Sequence, residues 1–338
     1  MEIEKIEPIF QVPELIKQNY TVYRVSTSNG RLYYRFEKKR PKFFISLTTM
    51  IKATMPTSEF LIKWMCGLGY DEAKKYAKER ADYGTAMHIE IGNFIKYKTI
   101  DFKRIEENYP NYHQDLKSDL LAFAKFIKDY KVTPLAVEIV LTSKKGYATC
   151  IDFVCKMTIE EKADSGEVYK SGPRKGEKKE GDIKVEREIT GLINFKSGRK
   201  GFHEDNEIQL QFEKMLFEEN YPIKVDRIYN WSPKEWTTEP NYNLKDQTES
   251  VNLKKIPHVL GMAKIELMKR IPNKRLYPDG IVYGEEPKMK YVTLERFVID
   301  KHNKEIAAEV NMLESLPVVH IYSIAGAASE FEPLKAGV

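Results

Sequence analysis

Between residues 135 and 231 the chain alternates strand-type and helix-type segments, and no other stretch constrains the fold as tightly. Residues 135–142 and 147–158 are rich in Val, Ile, Phe and Tyr and are separated by Ser143-Lys-Lys-Gly146, which predicts an antiparallel strand pair. Residues 189–195 predict a third strand, 204–220 a helix and 224–231 a further strand. Elements in this order predict a mixed α/β sheet with helices packed on it. Two helical stretches precede it. One runs from residue 59 to 98 with a break near Gly67-Leu-Gly69; the other spans 116–130, where Leu120, Leu121, Ala124 and Ile127 recur at helix spacing. Nearest the start, alternating apolar and polar residues flank Asn29-Gly30 and predict a hairpin.

These elements divide the 338 residues into an N-terminal β-hairpin region (1–45), an α/β core (46–231) and a C-terminal extension (232–338). A charge-dense stretch at 160–190 interrupts the core. Its centre, Lys170-Ser-Gly-Pro-Arg-Lys-Gly-Glu-Lys-Lys179, holds no core-forming residue and reads as an inserted loop. Cys66, Cys150 and Cys155 are too few and too unevenly spaced for a disulfide framework or a four-thiolate cluster, so reduced thiols and a cytoplasmic location are expected. The acidic MEIEKIEPIF start does not read as a secretion signal, and no apolar run approaches a membrane span. With 55 Lys and Arg against 50 Asp and Glu, the net charge of +5 neither requires nor excludes a nucleic-acid partner.

The phosphate-cradling G-x-x-x-x-G-K-[ST], the dinucleotide G-x-G-x-x-G and the nucleophile elbow G-x-S-x-G are all missing. His88-Ile-Glu90 matches the H-x-E of zinc deaminases, but no P-C-x-x-C follows it. The informative pattern is distributed. It comprises Gly84-Thr85-Ala86-Met87-His88 on a helix, Glu138 opening one strand, Asp152 in the next, Asn194-Phe195-Lys196 in the third and Gln209 on the following helix. In this order and on these elements it resembles the PD-(D/E)XK nuclease superfamily, in particular its RecB-like exonuclease branch, over residues 46–231.

The resemblance implies a restriction-endonuclease-like α/β fold, a mixed central sheet flanked by helices. It further implies a Mg2+- or Mn2+-dependent deoxyribonuclease, exonuclease-like, acting in DNA replication, recombination or repair. Asp152 then corresponds to a metal-binding carboxylate, Lys196 to the charge-stabilising lysine, His88 to a metal or phosphate contact, Glu138 to a supporting ligand and Gln209 to a residue holding substrate or the lysine. An iron–sulfur cluster of the kind some relatives carry is not expected with three cysteines. Physical chemistry agrees on two points. Period-two alternation points residues 194 and 196 to one face and Phe195 to the other. An unpaired carboxylate at Asp152, between Ile151 and Phe153, would cost several kcal/mol if buried, on the order of the usual penalty, unless it served as a ligand.

Two positions depart from the family pattern. Asn194 stands where the family carries Asp or Glu and is counted with Glu138 and Glu213 as a possible ligand at the catalytic centre, although a neutral amide brings no anionic charge to a hard cation. Gln209 is followed four residues later by Glu213 where the RecB-like branch commonly has Tyr. Because i and i+4 share a helix face, Glu213 is expected to restore the missing carboxylate from the helix; Glu207 lies on another face. A deliberate Asp→Asn change and a natural loss of cleavage, leaving a nucleic-acid-binding or scaffolding protein, are the alternatives. Two basic stretches are candidate DNA contacts: Arg35, Lys38, Lys39 and Arg40 among aromatic residues, and Lys175 and Lys178 in the charged loop. Each also suits a bland role, as an amphipathic hairpin and a solvated charge run.

Overall fold

A computed structural model describes residues 3–15, 21–27, 30–37, 40–163, 168–177, 183–199, 202, 204–270 and 320–323. The N-terminal strands β1 (Ile3–Ile6), β3 (Val22–Thr27), β4 (Gly30–Glu37) and β5 (Arg40–Ser46) form an antiparallel meander. The predicted hairpin is β3–β4, with Thr27 opposite Gly30; its turn residue Asn29 lies outside the described residues. The meander is not a separate unit. Ile45 and Ser46 of β5 pair in parallel with Tyr147 and Ala148 of β8 (Tyr147–Ala163), so β1-β3-β4-β5 continues into the central sheet. Beyond β8 the sheet runs through β9 (Ile183–Phe195), β10 (Arg227–Pro233) and β11 (Tyr242–Asp246).

The other edge of β8 pairs antiparallel with β7 (Thr133–Thr142), which in turn carries the short β2 (Phe10–Gln11). The β7–β8 turn is tight: Gly146, at φ +92°, donates its N–H to Ser143 O at 3.0 Å, a backbone conformation that favours glycine. β8 therefore has two partners in succession on one edge. β5 leaves it at Ala148 and β9 joins it at Phe153. Between these points no strand pairs with this edge of β8 among the described residues.

Helices cover both faces. On one side α3 (Tyr70–Tyr97) and α5 (His113–Asp129) pack their apolar residues with Val137, Phe153, Ile193, Phe195 and Trp231. On the other, α1 (Leu47–Thr54), α6 (Glu204–Asn220) and α7 (Ile256–Arg270) pack with Ile139, Ile151, Val154, Leu192 and Ile228. The protein is thus α/β, a mixed sheet between two helical layers. A short α4 (Phe102–Asn108) follows β6 (Thr99–Asp101), which pairs with β12 (His320–Ser323). No helix among the described residues is long and apolar enough to cross a membrane.

Three findings refine the expected organisation. The sheet does not close at Trp231, because β11 adds an edge strand and Ile256 and Val259 of α7 enter the core. The stretch 160–190 is not all loop: β8 and β9 extend as a two-stranded ribbon as far as Ala163 and Ile183. Diagonal cross-strand ion pairs tie it together, Lys184 to Glu160 at 2.7 Å and Arg187 to Glu161 at 3.2 Å. Finally, α2 (Glu59–Leu68) is apolar yet leaves Leu61, Ile62 and Leu68 exposed, so its hydrophobic pattern does not signal core.

Candidate metal centre

At this interval of β8, side chains from α3 and from the sheet itself come together. α3 runs its buried half, from Tyr83 onward, along the sheet and delivers His88. The imidazole Nδ1 lies 2.7 Å from Glu138 Oε1 and 3.7 Å from Asp152 Oδ1. One donor atom from each of His88, Glu138 and Asp152 falls within 4.8 Å of the others, a spacing that suits one shared cation. The Phe195 ring stands edge-on to His88 at 5.6 Å, and the Phe195 N–H donates to Asp152 Oδ2 at 2.7 Å. The neighbouring strand thereby fixes Asp152.

Glu138 sits in the middle of β7 rather than at its start, with φ at +54°, unusual for a residue other than glycine. The pairs on either side of it, Val137 with Phe153 and Ile139 with Ile151, place Glu138 opposite Asp152. Val137 and Phe153 pack in the α3/α5 core, whereas Ile139 and Ile151 pack in the α1/α6/α7 core. Both strands exchange faces at this one rung. Backbone strain of this sort concentrates at functional positions.

The other predicted residues fall out as follows. Lys196 follows β9 and its N–H donates to Trp231 O at 2.8 Å; its charge acts on His88, Asp152 and Glu213. Ser197, next in the chain, touches α3 at Gly84, where an added Cβ would lie 3.3 Å from Ser197 Oγ. Gln209 Nε2 donates to Glu213 Oε1 at 2.7 Å. Glu213 is fully buried, and its Oε2 has no hydrogen-bond partner among the described residues, a state that costs ~1–3 kcal/mol. Glu207 is occupied elsewhere, with Ser250 and Lys245. Asn194 shares the Lys196 face of β9 but is completely buried.

The electrostatics are those of crowded acids around two cations. Burial would depress the His88 imidazolium, but the Asp152 charge and the hydrogen bond and charge of Glu138 outweigh it and hold the pKa at about 9. Burial raises Asp152, aided by the Glu138 charge and opposed by His88, Lys196 and the Phe195 N–H. Burial and then the Asp152 charge push Glu213 up to about 8, against Gln209 and Lys196. Burial and Glu138 also push the Cys150 thiol up; its Sγ lies 2.9 Å from Glu138 Oε2. One imidazole and two carboxylates make a donor set able to hold a divalent cation.

One further contact was not foreseen in the sequence. Arg199 Nη2 donates to the buried Asp119 Oδ1 at 2.9 Å, and Tyr83 OH donates to the same carboxylate. The loop after Lys196 is thus anchored to α5 and α3. Burial raises Asp119 to about 6 despite these partners.

The basic candidates are not gathered here. Tyr33, Tyr34, Phe43 and Phe44 of the hairpin are buried in small cores and so do not offer stacking faces. Arg35 is engaged with Thr142 at 2.6 Å and with Glu37. Arg40 opens β5, and Lys38, Lys39 and Lys178 lie outside the described residues. Lys175 belongs to the turn beyond the ribbon, whose last rung is 11 residues, roughly 36 Å of strand, past Asp152. No protein-family model matches the chain, and no curated protein matches it either.

Proposed function

We propose that the chain is a Mg2+- or Mn2+-dependent deoxyribonuclease of the PD-(D/E)XK type, built on a restriction-endonuclease-like core. The observation that carries this reading is the convergence of His88, Glu138 and Asp152 donor atoms within 4.8 Å, beside Lys196 and Glu213, where β5 and β9 part from β8. His88, Glu138 and Asp152 would hold the cation, with Glu213 supplying the acid that Asn194 does not. Bound there, a divalent ion supplies positive charge at the scissile phosphate and acidifies a water. Lys196 offsets negative charge growing on the phosphate and orients the attacking water. The Phe195 N–H keeps Asp152 aimed, and before a cation binds Glu138 holds His88 by a hydrogen bond whose proton that cation would displace.

Incubation of the protein with linear and circular DNA under a divalent-metal panel is the direct test. Degradation that requires Mg2+ or Mn2+ and stops with EDTA is expected, with linear DNA preferred if the activity is exonucleolytic. DNA binding without cleavage under every metal would favour instead a nuclease-like fold retained for binding, the reading that Asn194 supports. Gly84→Val is expected to cut cleavage roughly 10- to 100-fold by displacing Ser197 and with it Lys196. The melting temperature should change little, since Gly84 is not a core position; a variant of wild-type activity would show that this contact does not position the lysine.

A further inference from the structure

The face of α3 that carries His88 continues beyond the metal centre. At 3.6 residues per turn, His88, Gly84, Ala81, Lys74 and Tyr70 fall along one stripe of this unbroken helix, with Lys78 at its border. At its inner end Gly84 meets Ser197, the residue after Lys196. Farther out, every residue from Tyr70 to Ala81 is exposed except Ala73, so the stripe runs on in contact with solvent. The neighbouring α2 lies against another side of the helix. Its Trp64 packs edge-on against Tyr76, with ring centroids 5.7 Å apart, and Tyr76 is about 120° round the helix from His88.

The chemistry of the stripe changes along its length. Next to the centre it is small, Gly84 and Ala81, which leaves room beside the helix. Beyond them Lys78 and Lys74 supply cations, and Tyr70, 63% exposed, supplies an aromatic face with Lys74 Nζ 5.8 Å from its centre. Four bases balance four acids between residues 71 and 82, yet the two signs are segregated. Lys74, Lys78 and Arg80 lie within about 80° of His88, whereas Asp71, Glu72, Glu79 and Asp82 all lie about 100° or more away. From His88 to Tyr70 the stripe extends roughly 27 Å at 1.5 Å per residue. That matches about eight nucleotides at the roughly 3.4 Å rise of a stacked strand.

We infer that this stripe is a track for single-stranded DNA leading to the metal centre, with Lys74 and Lys78 on backbone phosphates and a base stacked on Tyr70. An unpaired strand fits better than a duplex, because a paired base keeps its faces inside the stack, out of reach of a tyrosine on a helix surface. The inference rests on the nuclease reading for where the strand leads. Binding along the track needs neither the cation nor cleavage.

Fluorescence anisotropy of a labelled oligothymidylate of about 15 nucleotides, titrated with the full chain in EDTA, tests the track. The wild-type protein should bind it, and Tyr70→Ala should weaken binding about tenfold. Lys74→Gln combined with Lys78→Gln should weaken it too, and should reduce the slope of log K against log salt by about 1.4, the release from two phosphates. Tyr97→Ala is the control: Tyr97 is also exposed and has Lys96 Nζ 5.0 Å from its ring, but it lies at the other end of α3 and on the opposite side from His88, so binding should not change. The substituted residues are exposed, and the melting temperature should stay at the wild-type value. No binding by the wild type, an unchanged salt slope, or the same losses with a blunt duplex of equal length would overturn the track. So would a dimer that Tyr70→Ala dissolves in a chain that binds no oligothymidylate, since the stripe would then be an interface between copies. Track-dependent binding without cleavage under any metal would leave the track standing and remove the nuclease reading; cleavage by variants that bind like wild type would do the reverse.

Discussion

Asp152→Asn is expected to lower metal-dependent DNA cleavage by about a thousandfold or more, the scale of several kcal/mol of lost charge stabilisation at the phosphate. The metal-free variant should melt at the wild-type temperature or above it. Burial and the Glu138 charge raise the Asp152 pKa, so its ionised form is disfavoured in the fold, and asparagine removes that penalty while its oxygen still accepts the Phe195 N–H. A catalytic loss without a stability loss separates a ligand from a structural carboxylate. The measurement is initial rate on linear DNA with Mg2+ or Mn2+, beside a thermal melt in EDTA. Cleavage within tenfold of wild type would remove Asp152, and with it the proposed centre.

Glu213→Gln should cost about a hundredfold or more in cleavage, because the centre then lacks an acid that no strand residue replaces. Asn194→Asp should bring no gain; a large gain would mean that the acid belongs on β9 and that Glu213 is not its substitute. The same pair of groups sets a pH signature. Glu213, ordinarily at 4.5, is raised to about 8, and His88, ordinarily at 6.5, to about 9. Both shifts are upward, so their stabilising contributions are complete below the ordinary values and are lost as pH rises through 8 and 9. The metal-free protein should therefore lose stability progressively from about pH 4.5, where Glu213 alone contributes, to about pH 9, with His88 adding to the loss above about 6.5. A cation must displace these protons, so Mg2+ should protect against melting more strongly at pH 8.5 than at pH 6.5. Glu213→Gln should flatten the metal-free slope, as seen in melts across that range with and without Mg2+.

Much of the architecture is legible in residue pattern. Alternation in β7, β8 and β9 and the 3.6-residue spacing of α5 are local properties, as is the turn glycine between β7 and β8. What the sequence hides is long-range. The two-residue parallel contact of β5 with β8 leaves no periodic trace, yet it joins the meander to the central sheet. The ribbon extending 160–163 and 183–188 is too charged to look like strand, because its stability comes from cross-strand ion pairs rather than an apolar face. In α2 the apolar pattern misleads in the opposite direction, since Leu61, Ile62 and Leu68 stay in contact with solvent. Within the centre, His88, Asp152 and Lys196 are named through the resemblance of their order along the chain to a known family pattern, and Glu213 through its i, i+4 spacing from Gln209. The role of Gln209 could not be named, because its partner was decided by a rotamer on α6. Nor could Arg199 and Asp119, which meet across 80 residues of chain.

An ordinary β-sheet is a partition: what stands on one side of it does not meet what stands on the other. The left-handed backbone at Glu138, matched by the change of face between Ile151 and Phe153, interrupts that rule at a single rung. There the sheet itself contributes two carboxylates, Glu138 and Asp152, to an imidazole that α3 brings from one layer. Substitutions at position 138 therefore act on two things at once, the donor and the change of face.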